Sequence, residues 1–222
     1  MTIFRDKGVL SLHYMPQKIL HRERQIVQMS RILEDFYRKI PPRNILGVGQ
    51  IGTGKTVTAR YVAEKLEKEA EAHGLRVRSV YVNCGQAPTF YKVLASVLGY
   101  LRQERIKAGW SNSILIDELR REAEKLDGLL LILDEIERLV VTDDPDWSWT
   151  FYHLNRSFPM TSTIMLTTSE MVQVRLERDL EARAKDTFLW LPTSFNPYDQ
   201  PELQDILNDR IPSAFKEGVF SE

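Results

Sequence analysis

Cysteine is nearly missing from this sequence of 222 residues, which contains only Cys84. A single cysteine cannot form a disulfide within the chain, as is typical of proteins from the reducing interior of the cell. No group of histidines and cysteines has the spacing of a metal site, and no Ser-His-Asp arrangement can be argued from one sequence. These absences favour a cytoplasmic protein and argue against the common zinc-binding patterns.

Long apolar runs are missing as well. No run approaches the roughly 20 residues that a membrane-spanning helix needs, and residues 1–7 lack the apolar core of a signal peptide. Internal repeats and low-complexity segments are also absent from the sequence. We therefore expect a cytoplasmic chain without a membrane partner.

An excess of charge of either sign is absent too. Lysine and arginine number 30 and aspartate and glutamate 31, which gives a formal net charge of −1. The total charge therefore provides no argument for nucleic-acid binding. Basic residues prevail before residue 44 and acidic ones after residue 169, which fits either head-to-tail assembly or ordinary solvated faces. The length is enough for one α/β core with at most a small appendage.

The most informative stretch that is present runs from residue 44 to residue 56. Residues 45–48 are apolar and predict a strand, residues 49–56 match G-x-x-x-x-G-K-[ST], and residues 56–73 follow with a helical pattern. This order is typical of the P-loop. Glycines allow consecutive backbone N–H groups to surround a phosphate, and the helix start adds the positive end of its dipole. A glycine loop that only reverses the chain is the structural alternative.

The P-loop predicts contacts to ATP or ADP. Lys55 would reach the β- and γ-phosphates, and Thr56 would bind Mg²⁺ through its hydroxyl. The nucleotide contacts predicted for this stretch are Gly49, Gln50, Ile51, Gly52, Thr53, Gly54, Lys55, Thr56 and Val57.

A second motif lies at residues 129–135. Residues 129–133 are all apolar and predict a strand covered on both faces, and Asp134 and Glu135 follow it. Asp134 can hold Mg²⁺ directly or through water, and Glu135 can take a proton from the water that attacks the γ-phosphate. Because a small-molecule kinase does not need such a glutamate, the pair favours ATP hydrolysis. The structural alternative is a strand end followed by two solvated acids.

Strand and helix patterns alternate along the chain. The predicted strands are 45–48, 77–82, 129–133, 163–166 and 188–191, and the predicted helices are 21–40, 56–73, 88–106, 114–126, 147–156, 171–180 and 200–208. This alternation predicts an α/β fold, a P-loop NTPase three-layer sandwich around a five-stranded parallel sheet. Such sheets bind ligands at the carboxyl ends of their strands, where both motifs lie.

The fourth predicted strand ends in hydroxyl residues. Thr168 and Ser169 can lie between the two motifs and contact the γ-phosphate or the attacking water, with capping of the strand end as the alternative. Arg183, before the fifth predicted strand, would be a surface arginine from its spacing alone.

These residues together resemble the AAA+ ATPases, most of all the initiator type, the archaeal relatives of the origin recognition complex and of cell division control proteins. Residues 14–23 are similar to the segment that enters the family's first helix, and residues 133–139 are similar to its Walker B motif. Residues 182–185 resemble the segment that carries its arginine finger. Residues 197–218 are similar to the start of its helical lid, so the resemblance covers nearly the whole chain.

The resemblance implies further site residues. Arg183 would enter the site of a neighbouring subunit and stabilise the charge of the transition state. The lid residue Tyr198 would contact the nucleotide. Candidate contacts to the adenine are Pro16, Ile19, His21 and Arg22.

The resemblance also implies a division into domains. Residues 1–195 would form the AAA+ base domain and residues 196–222 the start of the lid, with no winged-helix domain in the sequence given. Two positions depart from the family pattern, since Thr168 and Ser169 replace an asparagine and Ala182 replaces a proline.

The implied function is that of a nucleotide switch in DNA replication initiation, which binds ATP, hydrolyses it slowly, and acts with duplex DNA and with identical or different AAA+ neighbours. The alternatives are another AAA+ helper in transposition, clamp loading or signalling, a small-molecule kinase, and a nucleotide-bound scaffold without turnover.

Four basic residues can follow a DNA backbone or simply form a solvated face: Lys92, Arg102, Arg105 and Lys107. Three tryptophans can stack on bases or pack in the core: Trp110, Trp147 and Trp149.

Overall fold

A parallel sheet of five strands lies at the centre of the structure, a computed structural model that describes residues 3–11, 14–107, 109–140, 158, 160–179 and 188–219. The strands are β1 (Asn44–Gly49), β2 (Val77–Asn83), β3 (Gly128–Asp134), β4 (Thr161–Thr167) and β5 (Trp190–Phe195). Every pairing between them is parallel, and their order is β2-β3-β4-β1-β5. The predicted α/β fold with a five-stranded parallel sheet is confirmed.

Helices cover the sheet on both faces. In the described ranges they are α1 (Glu23–Leu33), α2 (Lys55–Ala72), α3 (Phe90–Arg102), α4 (Asn112–Ala123), α5 (Glu137–Val140), α6 (Glu170–Asp179) and α7 (Gln200–Ala214), with 3₁₀ turns at Lys7–Leu10 and Glu34–Phe36. Strand β3 shows the layering, because its side chains alternate between two buried clusters. Leu130 and Ile132 join side chains of α1 and α2 in one cluster, whereas Leu129, Leu131 and Leu133 join those of α3 and α4 in the other.

The first helix is shorter than the predicted span of residues 21–40. His21 has a left-handed backbone with φ of +58°, so the helix starts only at Glu23. The α-helix ends at Leu33 and continues as a 3₁₀ turn to Phe36, and Lys39 is again left-handed with φ of +56°.

The fifth strand was wrongly predicted at residues 188–191 and lies at Trp190–Phe195. Pro192 argues against a strand because it cannot donate to a ladder, but β5 is the last strand of the sheet, where proline is tolerated. Helix α1 covers this edge, since Gln25 and Gln28 donate side-chain hydrogen bonds to the carbonyls of Ser194 and Pro192, at 3.0 Å each. The side chains of α1 therefore occupy two carbonyl acceptors of this edge, which disfavours strand addition there.

Local capping sets several other element boundaries. The hydroxyl of Thr89 accepts from the backbone N–H of Lys92, so α3 starts at Phe90 rather than at residue 88, and the left-handed Gln103 ends it before residue 106. The last helix continues past residue 208 to Ala214. The helix predicted at residues 147–156 lies outside the described residues.

The first residues of the chain bracket the far end of α7. Phe4 and Phe215 form an antiparallel bridge, and their ring centroids lie 5.0 Å apart. The backbone N–H of Arg5 donates to the carbonyl of Ala214 at 2.9 Å, and that of Lys216 donates to Ile3 at 3.1 Å. The start of the predicted lid is therefore held by the N-terminal segment of the same chain.

Candidate nucleotide-binding site

The P-loop joins the carboxyl end of β1 to the start of α2. Gly54 precedes α2 with a left-handed φ of +81°, which L side chains rarely adopt. Gly49 meets a different constraint, because a Cβ there would lie 2.4 Å from the backbone oxygen of Phe195. The loop is closed internally by the hydroxyl of Thr53, which donates to the carbonyl of Gln50 at 2.8 Å. Ile51 at the tip is almost fully exposed, as is expected for a loop that surrounds a ligand.

Lys55 is folded back onto this loop. Its ammonium donates to the carbonyls of Gly49 and Gln50 at 2.7 and 2.8 Å, and the residue is only 8% exposed. Burial lowers the pKa of Lys55, and the charges of Asp134 and Glu137 oppose that shift. Among the described residues no carboxylate comes within ion-pair distance of it. A buried cation whose hydrogen-bond partners are neutral carbonyls fits an anionic ligand such as a phosphate.

The two motifs meet at Asp134. The hydroxyl of Thr56 donates to Oδ2 of Asp134 at 2.7 Å, and the hydroxyl of Tyr81 donates to the same oxygen at 2.9 Å. Burial and the neighbouring Asp134 charge raise the pKa of Tyr81 to about 12, so it stays a donor at neutral pH. Hydroxyl and carboxylate oxygens are the ligands that Mg²⁺ prefers. The donor set therefore fits the predicted metal.

Glu135 follows in an unusual conformation. Its φ is +54°, a left-handed value that is uncommon for a residue other than glycine and that clusters at functional sites. The side-chain amide of Asn83 donates to Oε1 of Glu135 at 3.1 Å. This contact was not foreseen from the sequence, but the register pairs Asn83 with Asp134 at the ends of β2 and β3. The residue predicted as general base is thus oriented from the neighbouring strand.

The hydroxyl residues at the end of β4 lie between the two motifs, because β4 separates β1 from β3. The hydroxyl of Thr168 donates to Oε1 of Glu137 at 2.8 Å, and the backbone N–H of Ser169 donates to the buried Thr167 hydroxyl at 3.0 Å. Burial would raise the pKa of Glu137, but hydrogen bonds from its own backbone and from both threonines outweigh it, so the pKa is lowered. Glu137 thus joins Tyr81 and Asn83 as a residue near the site that the sequence did not predict. Arg183, the predicted arginine finger, lies outside the described residues.

A cleft opens beside the P-loop. It brings together four residues predicted to contact the nucleotide: Pro16, Ile19, Val57 and Tyr198. Helix α7 contributes Ile206, Asp209 and Arg210 to the same cleft. One concave surface next to the P-loop is therefore formed by three parts of the chain: the entry segment (residues 14–23), the start of α2, and α7 with the residues just before it.

His21 and Arg22 lie beside this cleft rather than in its lining. Nε2 of His21 is 3.1 Å from Oδ2 of Asp205 on α7. The guanidinium of Arg22 is buried against the ring of Tyr198, with Cζ 3.6 Å from the ring centroid. Both residues thus contact the elements that form the cleft.

The residues considered for DNA contact separate into two groups. Arg102 binds Glu118 and Glu122 of α4, at 2.8 Å from Glu122, and so it connects two helices. The hydrogen bond that Arg102 donates to Glu118 is the main cause that lowers the pKa of Glu118. The other three basic residues are exposed: Lys92, Arg105 and Lys107.

Trp110 is half-buried and packs against the core, whereas Trp147 and Trp149 lie outside the described residues. Within the ranges that the structure describes, no group of three or more histidine, cysteine, aspartate or glutamate residues could hold a metal ion. In the same ranges, no helix has the length and apolar character needed to cross a bilayer.

Comparisons with known proteins agree with this geometry. The family model of the AAA domain matches residues 41–185. The ORC1-type DNA replication protein 1 of Archaeoglobus fulgidus is 32% identical over 222 residues, which cover 100% of this chain and 54% of that protein. The chain spans about half the length of the curated relatives it matches.

Two solved structures share the fold. The ORC1 protein of Aeropyrum pernix in complex with DNA has a TM-score of 0.83 and 30% identity, over 99% of this chain and 56% of that one. The ORC2 protein of the same organism, in ADPNP-ADP complexes, has a TM-score of 0.85 over 99% of this chain and 59% of that one. Its 18% identity shows the fold alone.

Proposed function

The chain belongs to the AAA domain family, and we propose that it binds and hydrolyses ATP with Mg²⁺ as a nucleotide switch of the replication-initiator type. One observation carries this proposal, the 2.7 Å hydrogen bond between Thr56 of the P-loop and Asp134 of the second motif. It joins residues 78 positions apart at one edge of the sheet. A fortuitous glycine loop and an unrelated acidic strand end would have no reason to meet there.

The residues divide the chemistry among them. The Thr56 hydroxyl and the Asp134 carboxylate would hold Mg²⁺, which supplies positive charge next to the phosphate oxygens. Lys55 would exchange its two carbonyl partners for phosphate oxygens, and the backbone N–H groups of the loop would donate alongside it. Glu135, oriented by Asn83, would accept a proton from the attacking water.

The remaining predicted residues have supporting roles. Pro16, Ile19, Val57 and Tyr198 would take up the base in the cleft. Thr168 would contact the γ-phosphate or its water only by exchanging the hydrogen bond that it now donates to Glu137. Ser169 lies next to it, and Arg183 would act in the site of a neighbouring subunit.

We further propose duplex DNA and other AAA+ subunits as partners. The relatives are named as DNA replication proteins, and the ORC1 protein of Aeropyrum pernix has been solved with DNA. Because Arg183 would act on a neighbour, a lone subunit should hydrolyse ATP slowly. Assembly on DNA should raise the rate.

Phosphate release from ATP and Mg²⁺, measured with and without duplex DNA, tests this function. We expect slow turnover that DNA changes, and Glu135→Gln should reduce it by about 100-fold or more, since a general base contributes at least that much. The variant should still bind nucleotide, because Lys55, Thr56 and Asp134 remain. Equal turnover in both proteins would remove Glu135 from the mechanism, and absence of nucleotide binding by the wild type would overturn the proposed function.

A further inference from the structure

Arg22 is a buried cation that connects three separate segments of the chain. It is 4% exposed. Its Nε donates to the carbonyl of Thr53 in the P-loop at 2.9 Å. One terminal nitrogen donates to the carbonyl of His21 at 2.6 Å, and the other donates to the carbonyl of Asn196 at 2.7 Å. The three acceptors belong to the phosphate loop, the entry segment and the chain between β5 and α7.

The contact to Thr53 fixes a donor of the phosphate loop. A trans peptide unit is planar, so its C=O and N–H groups point in opposite directions. The carbonyl of Thr53 and the N–H of Gly54 belong to one such unit. When Arg22 holds this carbonyl, it also sets the direction in which Gly54 offers its N–H.

The contact to Asn196 acts on the approach to α7. Asn196 is followed by Pro197, which has no N–H. The carbonyl of Asn196 is therefore the only hydrogen-bonding group of that peptide unit, and Arg22 occupies it. Two residues further on, Tyr198 stacks on the guanidinium and also lines the cleft.

Tyr198 also lies against the P-loop. A Cβ on Gly54 would come within 2.4 Å of the Tyr198 hydroxyl, so this hydroxyl lies directly against the loop. Arg22 and Tyr198 thus contact adjacent residues, Thr53 and Gly54, from the same side. Because the two side chains stack on each other, a displacement of Arg22 or of Tyr198 displaces the other as well.

This arrangement requires the planar guanidinium of arginine at position 22. Among the described residues no carboxylate lies within ion-pair distance of Arg22, so three neutral carbonyls must solvate its charge. A guanidinium can donate in three directions in one plane and stack at the same time, whereas an ammonium cannot. Lysine would keep the charge but lose this geometry.

We propose that Arg22 is a positioning residue that couples the P-loop to the chain entering α7, so that nucleotide binding and the position of α7 depend on one guanidinium. The inference rests on the proposed function, because it requires a nucleotide in the P-loop. By linkage, a bound nucleotide that restrains α7 must be bound more weakly when α7 is released.

The test measures nucleotide affinity and the position of α7 in the same proteins. Glu71→Cys on α2 and Asn208→Cys on α7 place spin labels at two exposed sites, and the native Cys84 is buried and stays unlabelled. In the labelled full chain, saturating ATP should narrow the distribution of distances between the labels. The Arg22→Lys variant should show a broad distribution with or without ATP and bind ATP and ADP about tenfold more weakly, the effect of losing one charged hydrogen bond.

Arg24→Lys is the matched control, because Arg24 is an exposed arginine two residues away. It should behave as the wild type in both measurements. An Arg22→Lys protein that binds ATP normally, or that still narrows its distances on binding ATP, would overturn the coupling.

The wild-type measurement alone is also decisive, should Arg22→Lys fail to fold. A wild type that binds ATP without any change in the distance distribution contradicts the coupling and leaves the proposed function intact. A wild type that binds no nucleotide contradicts the proposed function itself.

Discussion

Oδ2 of Asp134 accepts hydrogen bonds from two hydroxyls at once, from the P-loop and from the middle of β2. Thr56 is part of a recognised motif, whereas Tyr81 is not. The second donor matters because a carboxylate held from two sides keeps its direction when a metal replaces one of its partners. Outer partners of metal ligands act in this way in many proteins.

Tyr81→Phe removes only the second hydroxyl. We expect the Mg²⁺ concentration for half-maximal nucleotide binding to rise by about tenfold, because loss of an outer partner costs 10- to 100-fold in metal affinity. A Mg²⁺ titration at fixed nucleotide concentration measures this effect. Tyr100→Phe is the control, since Tyr100 is exposed on α3. An unchanged midpoint in Tyr81→Phe would show that Thr56 alone orients the carboxylate.

The spacing of motifs predicted the P-loop and acidic residues of the site, but not their partners. The pattern G-x-x-x-x-G-K-[ST] and the apolar run before Asp134 are local, so they can be recognised in the sequence. Tyr81, Asn83 and Glu137 reach the site only through the register of β2 against β3 and the turn into α5. Those are long-range facts that no local pattern contains.

At the scale of elements, the start of β3 is packed unusually tightly. A Cβ on Gly128 would lie 2.5 Å from Cδ1 and 2.7 Å from Cε1 of Phe36, a fully buried ring in the 3₁₀ turn after α1. The ring occupies the space that any other residue would need. This contact joins the first helical segment to the strand that leads to Asp134.

Gly128→Ala should therefore destabilise the fold by about 1–3 kcal/mol, the usual cost of overpacking a core. Urea unfolding gives the free energy of unfolding directly. In a Phe36→Leu background, the same Gly128→Ala change should cost clearly less, because the clashing ring is gone. An equal cost in both backgrounds would show that Phe36 is not the cause.

Element type was easier to predict than element ends. The apolar run of β3 predicted a strand because burial on both faces leaves a continuous hydrophobic signal, and the alternating pattern of β2 predicted one because only one of its faces is fully buried. The ends depend on single residues, such as the left-handed His21 that delays α1 and the edge position that admits Pro192 into β5. Hydrophobic periodicity predicts neither the left-handed backbone of His21 nor the edge position of β5.

At the scale of the whole molecule, the two buried clusters lie on opposite faces of the same sheet. Cys84 belongs to the cluster formed with α3 and α4, and it is fully buried. Its backbone N–H donates to the carbonyl of Asp134 at 2.8 Å. The thiol therefore reports on the core immediately behind the candidate site.

Burial, reinforced by the charges of Asp134, Glu137 and Glu135, raises the pKa of the Cys84 thiol to about 12 from its ordinary value of 9.0. The folded protein thus keeps a proton that the unfolded chain loses near pH 9, so the free energy of unfolding should fall as pH rises through this interval. The limiting slope from this group is about 1.4 kcal/mol per pH unit. Tyr81, whose pKa is also raised to about 12, adds a smaller loss above pH 10, because the residue is 40% exposed and solvent screens its interactions.

Cys84→Ala separates the contributions of Cys84 and Tyr81, because the difference between wild type and variant in the slope of unfolding free energy against pH belongs to the thiol.

At pH 8, a thiol reagent should label the native wild type only as fast as the core opens, and urea should raise that rate in parallel with global unfolding. Rapid labelling without urea would show that the core behind Asp134 opens locally. In that event the strand ends that carry Asn83 and Asp134 would move independently of the rest of the sheet, and the site would be a mobile part of the molecule.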